Sequence, residues 1–441
     1  MIFLELIVVL GAIFLGARMG SIGIGFAGGL GVLVLGLLGV KPGAIPIDVI
    51  LIIMSVISAI ATMEVAGGLK FLVNVAERLL RKNPKRITMY APLVTYGMTL
   101  MAGTGHTAFS TLPVIAEVAK EQGIRPSRPL SIAVVASQVA ITASPISAAV
   151  VYLSSALEPL HVDYLQILLV CVPTSLAAVI IASFVTNFLG KELKDDPICQ
   201  ERLAHGIQRR KTDNIKMDGA MQTEILPGAK TSVWIFAAAI LMVMVYATMI
   251  SDKVGLIAKE HIVLSRDSAI MSFMLTAASL MVLACRLNPS KVLNASTFKS
   301  GMSACICVLG VAWLGTTFVT AHEAEIKEFA GGLLQSKPWL LSVALFFASM
   351  LLYSQAATAK ALVPTAIALG VSGGSIVASF AAVSALFVLP TYPTLLAAVE
   401  MDDTGSTRIG KYVFDHPFII PGVLTIALSV LFGFILSGLV L

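Results

Sequence analysis

Residues 351–362 read LLYSQAATAKAL and sit inside an apolar stretch that runs from near Pro338 to near Gly370. A lysine at the centre of a membrane-length run costs roughly 2.5–3.5 kcal/mol on insertion scales, so Lys360 marks a place where a fixed positive charge has a use. Ser354, Gln355 and Thr358 put hydroxyl and amide groups beside it. Three more apolar stretches carry polar interruptions of the same kind. AGTGH and the residue after it supply Thr104, Gly105, His106 and Thr107. ITASPIS supplies Thr142, Ser144 and Ser147, and LPTYPT supplies Thr391, Tyr392 and Thr394. None of the four interruptions contains Asp or Glu. The carboxylates that do fall in apolar segments (Glu5, Asp48, Glu64, Glu117 and Glu400) lie near segment ends. A cation or proton pump is expected to carry an acid at its centre. Hydroxyls, amides and one lysine suit a small anion, with the lysine as counter-charge.

Each residue also has a plainer reading. Lys360 can snorkel along its stem to an interface. His106 can be a structural histidine that stabilises a tip. Any single Ser or Thr can bond a carbonyl of its own helix or a neighbouring helix. Pro145, Pro390 and Pro393 open the helical ladder by removing a donor, and they present none themselves. The binding reading rests on the clustering of these groups at four breaks.

The elements that must position these residues are membrane spans. Hydrophobic residues make up 57% of the chain and charged residues 12%, against about 25% charged in a soluble domain. Mean hydropathy is +0.92. Runs of about 20 apolar residues recur along the whole length, so the fold class is an all-α polytopic membrane protein. The apolar segments fall at 2–17, 20–40, 46–66, 87–118, 129–157, 164–189, 231–250, 268–285, 301–320, 338–370, 374–399 and 417–440. Segments 87–118 and 338–370 are too long for one crossing and are interrupted in the middle, so each is expected to be a re-entrant hairpin.

The positive-inside rule tests this arrangement. With the N-terminus outside, the inner side holds Arg18, six basic residues in 70–86, three in 120–128, eight in 191–230, three in 286–299 and two in 408–411. That is 23 of the 30 Lys and Arg, against six outside (Lys41, Lys253, Lys259, Arg266, Lys327 and Lys337) and Lys360 within. Reading either hairpin as two crossings puts basic loops on the wrong side. Both termini are then expected on the periplasmic side.

A symmetry comes with this topology. Residues 1–189 form one repeat, with hairpin 87–118 and broken helix 129–157. Residues 190–230 form a charged cytoplasmic linker. Residues 231–441 form a second, inverted repeat, with hairpin 338–370 and broken helix 374–399. GHTAFSTLPVIA and AATAKALVPTAIA align with Pro113 and Pro364 in register. Paired discontinuities of this kind mark a transporter site near the bilayer midplane, with helix N-termini offered to an anion.

Other signals carry no chemistry. The five cysteines are an odd count in mostly apolar surroundings and read as buried free thiols. Gly23-x-Gly25-x-x-Gly28 lies inside an apolar span with no preceding strand, so it reads as small-residue packing. His322-Glu323 lacks the second histidine of a zincin. The net charge of +5 reflects loop residues and does not point to nucleic acid. No cofactor and no metal are expected. GLKFLVNVAERLLRKNPKR (68–86) reads as a basic amphipathic arm on the inner leaflet.

The chain resembles the Dcu family of bacterial anaerobic C4-dicarboxylate exchangers, most closely its DcuA-type branch. The resemblance spans essentially the whole length. It is carried by IGIGFAGGLGVLVLGLLGVKPG, AGTGH, LPVIAEVAKEQG, ITASPISAAVV, GMSACICVLGVAWLG, LLYSQAATAKAL, LPTYPTLLAAV and MDDTGSTRIGKYVFDHPF. It implies exchange of fumarate, malate, succinate and aspartate across the bacterial inner membrane. It also implies an ion-transporter-superfamily, elevator-like architecture: a homodimer in the lipid bilayer, with scaffold and mobile transport domains and no enzyme activity. Residue reading and resemblance meet in a dicarboxylate held between tips 103–107 and 354–358, with donors from 142–147 and 391–394. A cation-coupled dicarboxylate or citrate symporter of similar architecture is an alternative. An intramembrane hydrolase using Ser110 and His106 is a remote one, since no supporting motif accompanies the pair.

Overall fold

A computed structural model describes residues 2–19, 22–45, 47–204, 226–250, 257, 261–322, 324–325, 336–352, 354–389, 392–411 and 414–441. The described residues are helical and contain no strand, as expected where no water satisfies an open backbone. The helices are α1 (Ile2–Met19), α2 (Gly23–Leu37), α3 (Ile47–Val65), α4 (Gly68–Lys82), α5 (Ile87–Ala102), α6 (Ala108–Glu121), α7 (Ser127–Val139), α8 (Ala148–Leu157) and α9 (Tyr164–Thr186). They continue as α10 (Pro197–Ala204), α11 (Ala229–Met249), α12 (Arg266–Ala284), α13 (Ser296–Ala321), α14 (Leu340–Leu352), α15 (Gln355–Ala368), α16 (Gly373–Ser379), α17 (Pro393–Met401) and α18 (Ile419–Val440).

Segment 87–118 is two short helices. α5 has 16 residues and α6 has 14, about 24 and 21 Å at 1.5 Å per residue, so neither crosses a 30 Å core alone. Gly103 turns the chain between them with φ 67°, a left-handed conformation that suits glycine. Arg81, at the end of α4 just before α5, pairs with Glu117 near the end of α6 at 2.9 Å, so the chain returns to the side it left. Segment 338–370 divides likewise into α14, with 13 residues, and α15, with 14. α4 leaves α3 at 70° and carries the basic face foreseen for the arm.

Both segments that follow the hairpins are broken. α7 tightens into a 3-10 turn at Ala140–Ala143, and a turn through Pro145 and Ile146 then links extended Ser144 (ψ 124°) to extended Ser147 (ψ 142°) before α8 begins. α16 passes into a 3-10 stretch, Phe380–Phe387, and α17 starts after extended Tyr392 (ψ 134°) with Pro393 in its first turn. Pro390 and Thr391 lie outside the described residues.

Two packing groups emerge, and each draws on both halves of the sequence. α1, α2, α3, α11, α12 and α13 pack together, chiefly through α2 on α13 and α3 on α12 and α13. Glycines allow the closest approach: a Cβ at Gly310 would stand 1.9 Å from the Gly25 carbonyl oxygen, so the α2 and α13 backbones touch. The second group joins α5–α9 to α14–α18 around the main core, with α9 laid along α18 and α5 along α7. The groups meet where α13 and α8 flank α15 and α3 touches α8.

Polar pairs tie the helix ends in two sets. In one, Lys120 meets Asp403 at 2.8 Å, Arg125 meets Asp196 at 2.6 Å, and Glu64 accepts from the Thr297 amide at 2.9 Å. In the other, Glu5 meets His322, the Gly43 amide donates to Thr317 at 3.0 Å, and Gln166 donates to the Val440 carbonyl at 3.0 Å. Each pair joins segments that the charge count assigns to one side.

Candidate functional site

The candidate site lies where the described parts of the four breaks approach one another. At the first tip, a Cβ on Gly103 would stand 3.0 Å from Ile146, so glycine lets the tip close on the α7–α8 break. The Thr107 and Thr99 hydroxyls share a hydrogen bond of 3.0 Å, and Thr107 lies 3.2 Å from the Thr104 carbonyl. The His106 side chain lies outside the described residues. At the second tip, Ser354 caps α15, accepting from the Ala357 amide at 3.2 Å, and Thr358 donates to the Ser354 carbonyl at 2.8 Å.

The broken helices contribute differently. Thr142 donates to the Val139 carbonyl at 2.7 Å and Ser144 donates to the Leu100 carbonyl of α5 at 2.8 Å. Ser147 caps α8 by accepting from the Val150 amide at 3.2 Å. These three fully buried residues hold the break in shape and tie it to the first hairpin. Tyr164, at the start of α9, donates its phenol to the Pro145 carbonyl exposed by the break. The corresponding support of the second break is His416, which precedes α18 and meets the Val388 carbonyl at 3.1 Å.

Lys360 is fully buried in α15, and its ammonium lies 5.4 Å from the centre of the Tyr152 ring of α8. This is not snorkelling geometry, because the head is no more exposed than the stem. An aromatic face attracts a cation without neutralising it. On the far side of α15, a Cβ at Gly315 of α13 would stand 3.6 Å from the Ala361 Cα, so the helix that carries Lys360 runs close against the first packing group.

Three residues join the site that the sequence pattern had not singled out: Gln138, Ser384 and Tyr152. The Gln355 amide donates to the Gln138 carbonyl at 3.3 Å and to its side-chain oxygen at 3.2 Å. The Gln138 amide reaches Thr394 Oγ1 at 3.3 Å, and Ser384 donates to the Gln138 carbonyl at 3.3 Å. A Cβ on Gly105 would stand 2.8 Å from Gln138 Nε2, so the first tip presses on the same amide. Both tips and both breaks therefore meet around one glutamine.

The start of α6, α8, α15 and α17 brings four helix N-termini to this region, each with a partial positive charge of about half a unit. With hydroxyls, amides and one lysine, and no acid in the four breaks, the chemistry favours an anion. Among the described residues no group of three or more His, Cys, Asp or Glu could hold a metal ion.

Helices broken at mid-span and lined by such donors define a multi-pass helical membrane protein of transporter fold. The crystal structure of the Alcanivorax borkumensis YdaH transporter, described as revealing an unusual topology, shares this fold. It matches with a TM-score of 0.54 over 88% of this chain and 84% of that one, at 13% identity. The chain belongs to the DcuA/DcuB family of anaerobic C4-dicarboxylate membrane transporters, which matches residues 1–441. The C4-dicarboxylate transporter DcuA of Wolinella succinogenes is 64% identical over 442 residues, covering 100% of both chains. DcuA of Escherichia coli is 58% identical over 442 residues, again covering 100% of both. The anaerobic C4-dicarboxylate transporter DcuB of Escherichia coli is 35% identical over 444 residues, covering 99% of this chain and 98% of DcuB.

Proposed function

We propose that the protein is a C4-dicarboxylate carrier that exchanges one dicarboxylate for another, and that its substrate sits between the two hairpin tips. The observation that carries this reading is the fully buried Lys360 beside Tyr152, in the helix whose first residue, Gln355, meets Gln138. Lys360 offsets one carboxylate of a dianion. Gln355, Thr394, Tyr392 and Thr107 serve the rest of the molecule, while Thr358, whose hydroxyl is held by the Ser354 carbonyl, fixes the start of α15. Thr104, Gly105 and His106, with the helix starts behind Ser147 and Ser354, complete the proposed set of contacts, and Thr391 belongs to the same break as Tyr392 and Thr394.

Exchange follows from the donors of the breaks. An empty carrier moves them without a carboxylate to accept their protons, which is costly in a low dielectric. A loaded carrier moves a satisfied site. α5–α9 with α14–α18 form the mobile body, and α1–α3 with α11–α13 form the scaffold, an arrangement supported by the two packing groups and by the glycine contact at Gly315. The two groups take corresponding elements from residues 1–189 and 231–441, which supports the inverted repeat. The charge split supports an inner-membrane orientation with both termini periplasmic. The family reading favours a homodimer and a carrier with no catalytic step.

Counterflow in liposomes tests this. Labelled succinate should accumulate transiently when unlabelled succinate is inside, with no sodium gradient. Uptake that ignores internal succinate and follows a sodium gradient would instead establish the cation-coupled symporter.

A further inference from the structure

The geometry points to Gln138 as a positioning residue for substrate recognition: it fixes the hydrogen-bond direction of an amide chain that ends on Thr394 and leaves the Thr394 hydroxyl proton for the ligand. The inference rests on the proposed site and adds a residue and a direction to it.

The direction follows from one backbone carbonyl. A carbonyl oxygen only accepts. The Gln138 carbonyl faces the Gln355 amide at 3.3 Å and the Ser384 hydroxyl at 3.3 Å, so the Gln355 side chain must turn its NH2 end toward Gln138. The side-chain atom of Gln138 that lies 3.2 Å from that NH2 must then be the oxygen. This leaves the Gln138 NH2 group facing Ser137 Oγ and Thr394 Oγ1, both at 3.3 Å. Ser137 already donates to the Val134 carbonyl at 2.7 Å and so accepts from Gln138 without conflict.

Thr394 is the last link. It accepts from Gln138, so its own proton must be given to another group. Thr394 is 1% exposed and lies in the first turn of α17, where helix N–H groups and partial positive charge already favour an anion. A carboxylate is the acceptor that this set suits. The chain runs Gln355 to Gln138 to Thr394, from the second tip through the first broken helix to the second. All its members are neutral. The two ends of a dicarboxylate thus meet different chemistry: a cation at Lys360 and uncharged donors at Thr394. The contacts of 3.2–3.3 Å are long for hydrogen bonds and leave room to tighten on a bound ligand.

The test is a counterflow series in liposomes with succinate as probe, reading KM and maximal rate separately. Gln138→Met keeps size and neutrality but cannot orient Thr394. Thr394→Val keeps shape without the hydroxyl, and Thr394→Ser keeps the hydroxyl. A lost hydrogen bond to a charged group should raise KM roughly tenfold to a hundredfold in Thr394→Val, with maximal rate largely kept. Thr394→Ser, which restores the hydroxyl, should recover most of the affinity lost in Thr394→Val. Gln138→Met should raise KM severalfold in the wild-type background and add nothing once Thr394 is Val, because Gln138 acts through that hydroxyl. Additive effects, or a wild-type KM for Gln138→Met, would overturn the inference while leaving the site in place. If Gln138→Met does not fold, equal KM values for Thr394→Ser and Thr394→Val overturn it alone. Loss of the site itself would show separately, as normal transport by Lys360→Met.

Discussion

At Lys360, substitution separates two physical roles. As counter-charge, Lys360→Met should keep the fold and abolish dicarboxylate exchange. Lys360→Arg should rescue poorly, because a forked, planar guanidinium does not replace a compact ammonium fitted beside the Tyr152 ring. A lysine that only packs predicts the reverse: a mild Met variant and a functional Arg variant. Wild-type counterflow by Lys360→Met at matched protein level removes it from the site. This residue was legible in the sequence because charge is rare in apolar runs. Gln138 was not. It is one neutral glutamine in SIAVVASQVAITASP, and the side-chain partners that bring it into the site lie 217 and 256 residues away. Nothing in local spacing signals a contact that distant. Thr142 shows the opposite limit. Its pattern suggested a donor, but its hydroxyl is engaged by the Val139 carbonyl within its own turn, so Thr394 offers the sharper probe of recognition.

Among elements, the loop after α17 and the start of the linker form a clasp with the α6–α7 connection. Asp196 is its centre. Burial raises the Asp196 carboxyl, but Arg125 at 2.6 Å, the Ile198 amide and Arg408 outweigh this and hold it below the ordinary value. A carboxyl that is lower in the folded state stabilises the fold above its unfolded value of about 3.9 and stops doing so as pH falls through the lowered value. Asp196→Asn should therefore reduce thermal stability in detergent by a constant amount from about pH 7 to pH 5. The gap should then close as the pH is taken below about 4. A gap that is unchanged at the acid end would rule the charge out as its source. The division of 87–118 and 338–370 into short helices, the breaks and the arm helix were legible, because period, proline and polar interruption mark them locally. The clasp was not, because charged loop residues announce a side of the membrane and not a partner. Nor was the pairing of α9 with α18, since long apolar helices carry little directional information.

For the whole molecule, sidedness is the decisive quantity. The charge count, which assigns 23 of the 30 Lys and Arg to the cytoplasmic side, predicts the orientation. Glu201→Cys should react with an impermeant thiol reagent only from the cytoplasm, and Glu325→Cys only from the periplasm, each in a background lacking the native cysteines. Labelling of both from one side would end the two-hairpin topology. The interleaving of the halves also has a consequence for how the chain is made. Gln138 and Thr394 are 256 residues apart, and at roughly 5–20 residues per second the first waits on the order of 10–50 s for the second to be synthesised. During that interval the newborn first half sits in the bilayer with its broken helix complete and its polar partners not yet in existence. Biogenesis, more than the finished protein, must shelter that half-built centre. A nascent chain stalled before α14 should therefore be a preferred substrate for membrane quality-control proteases.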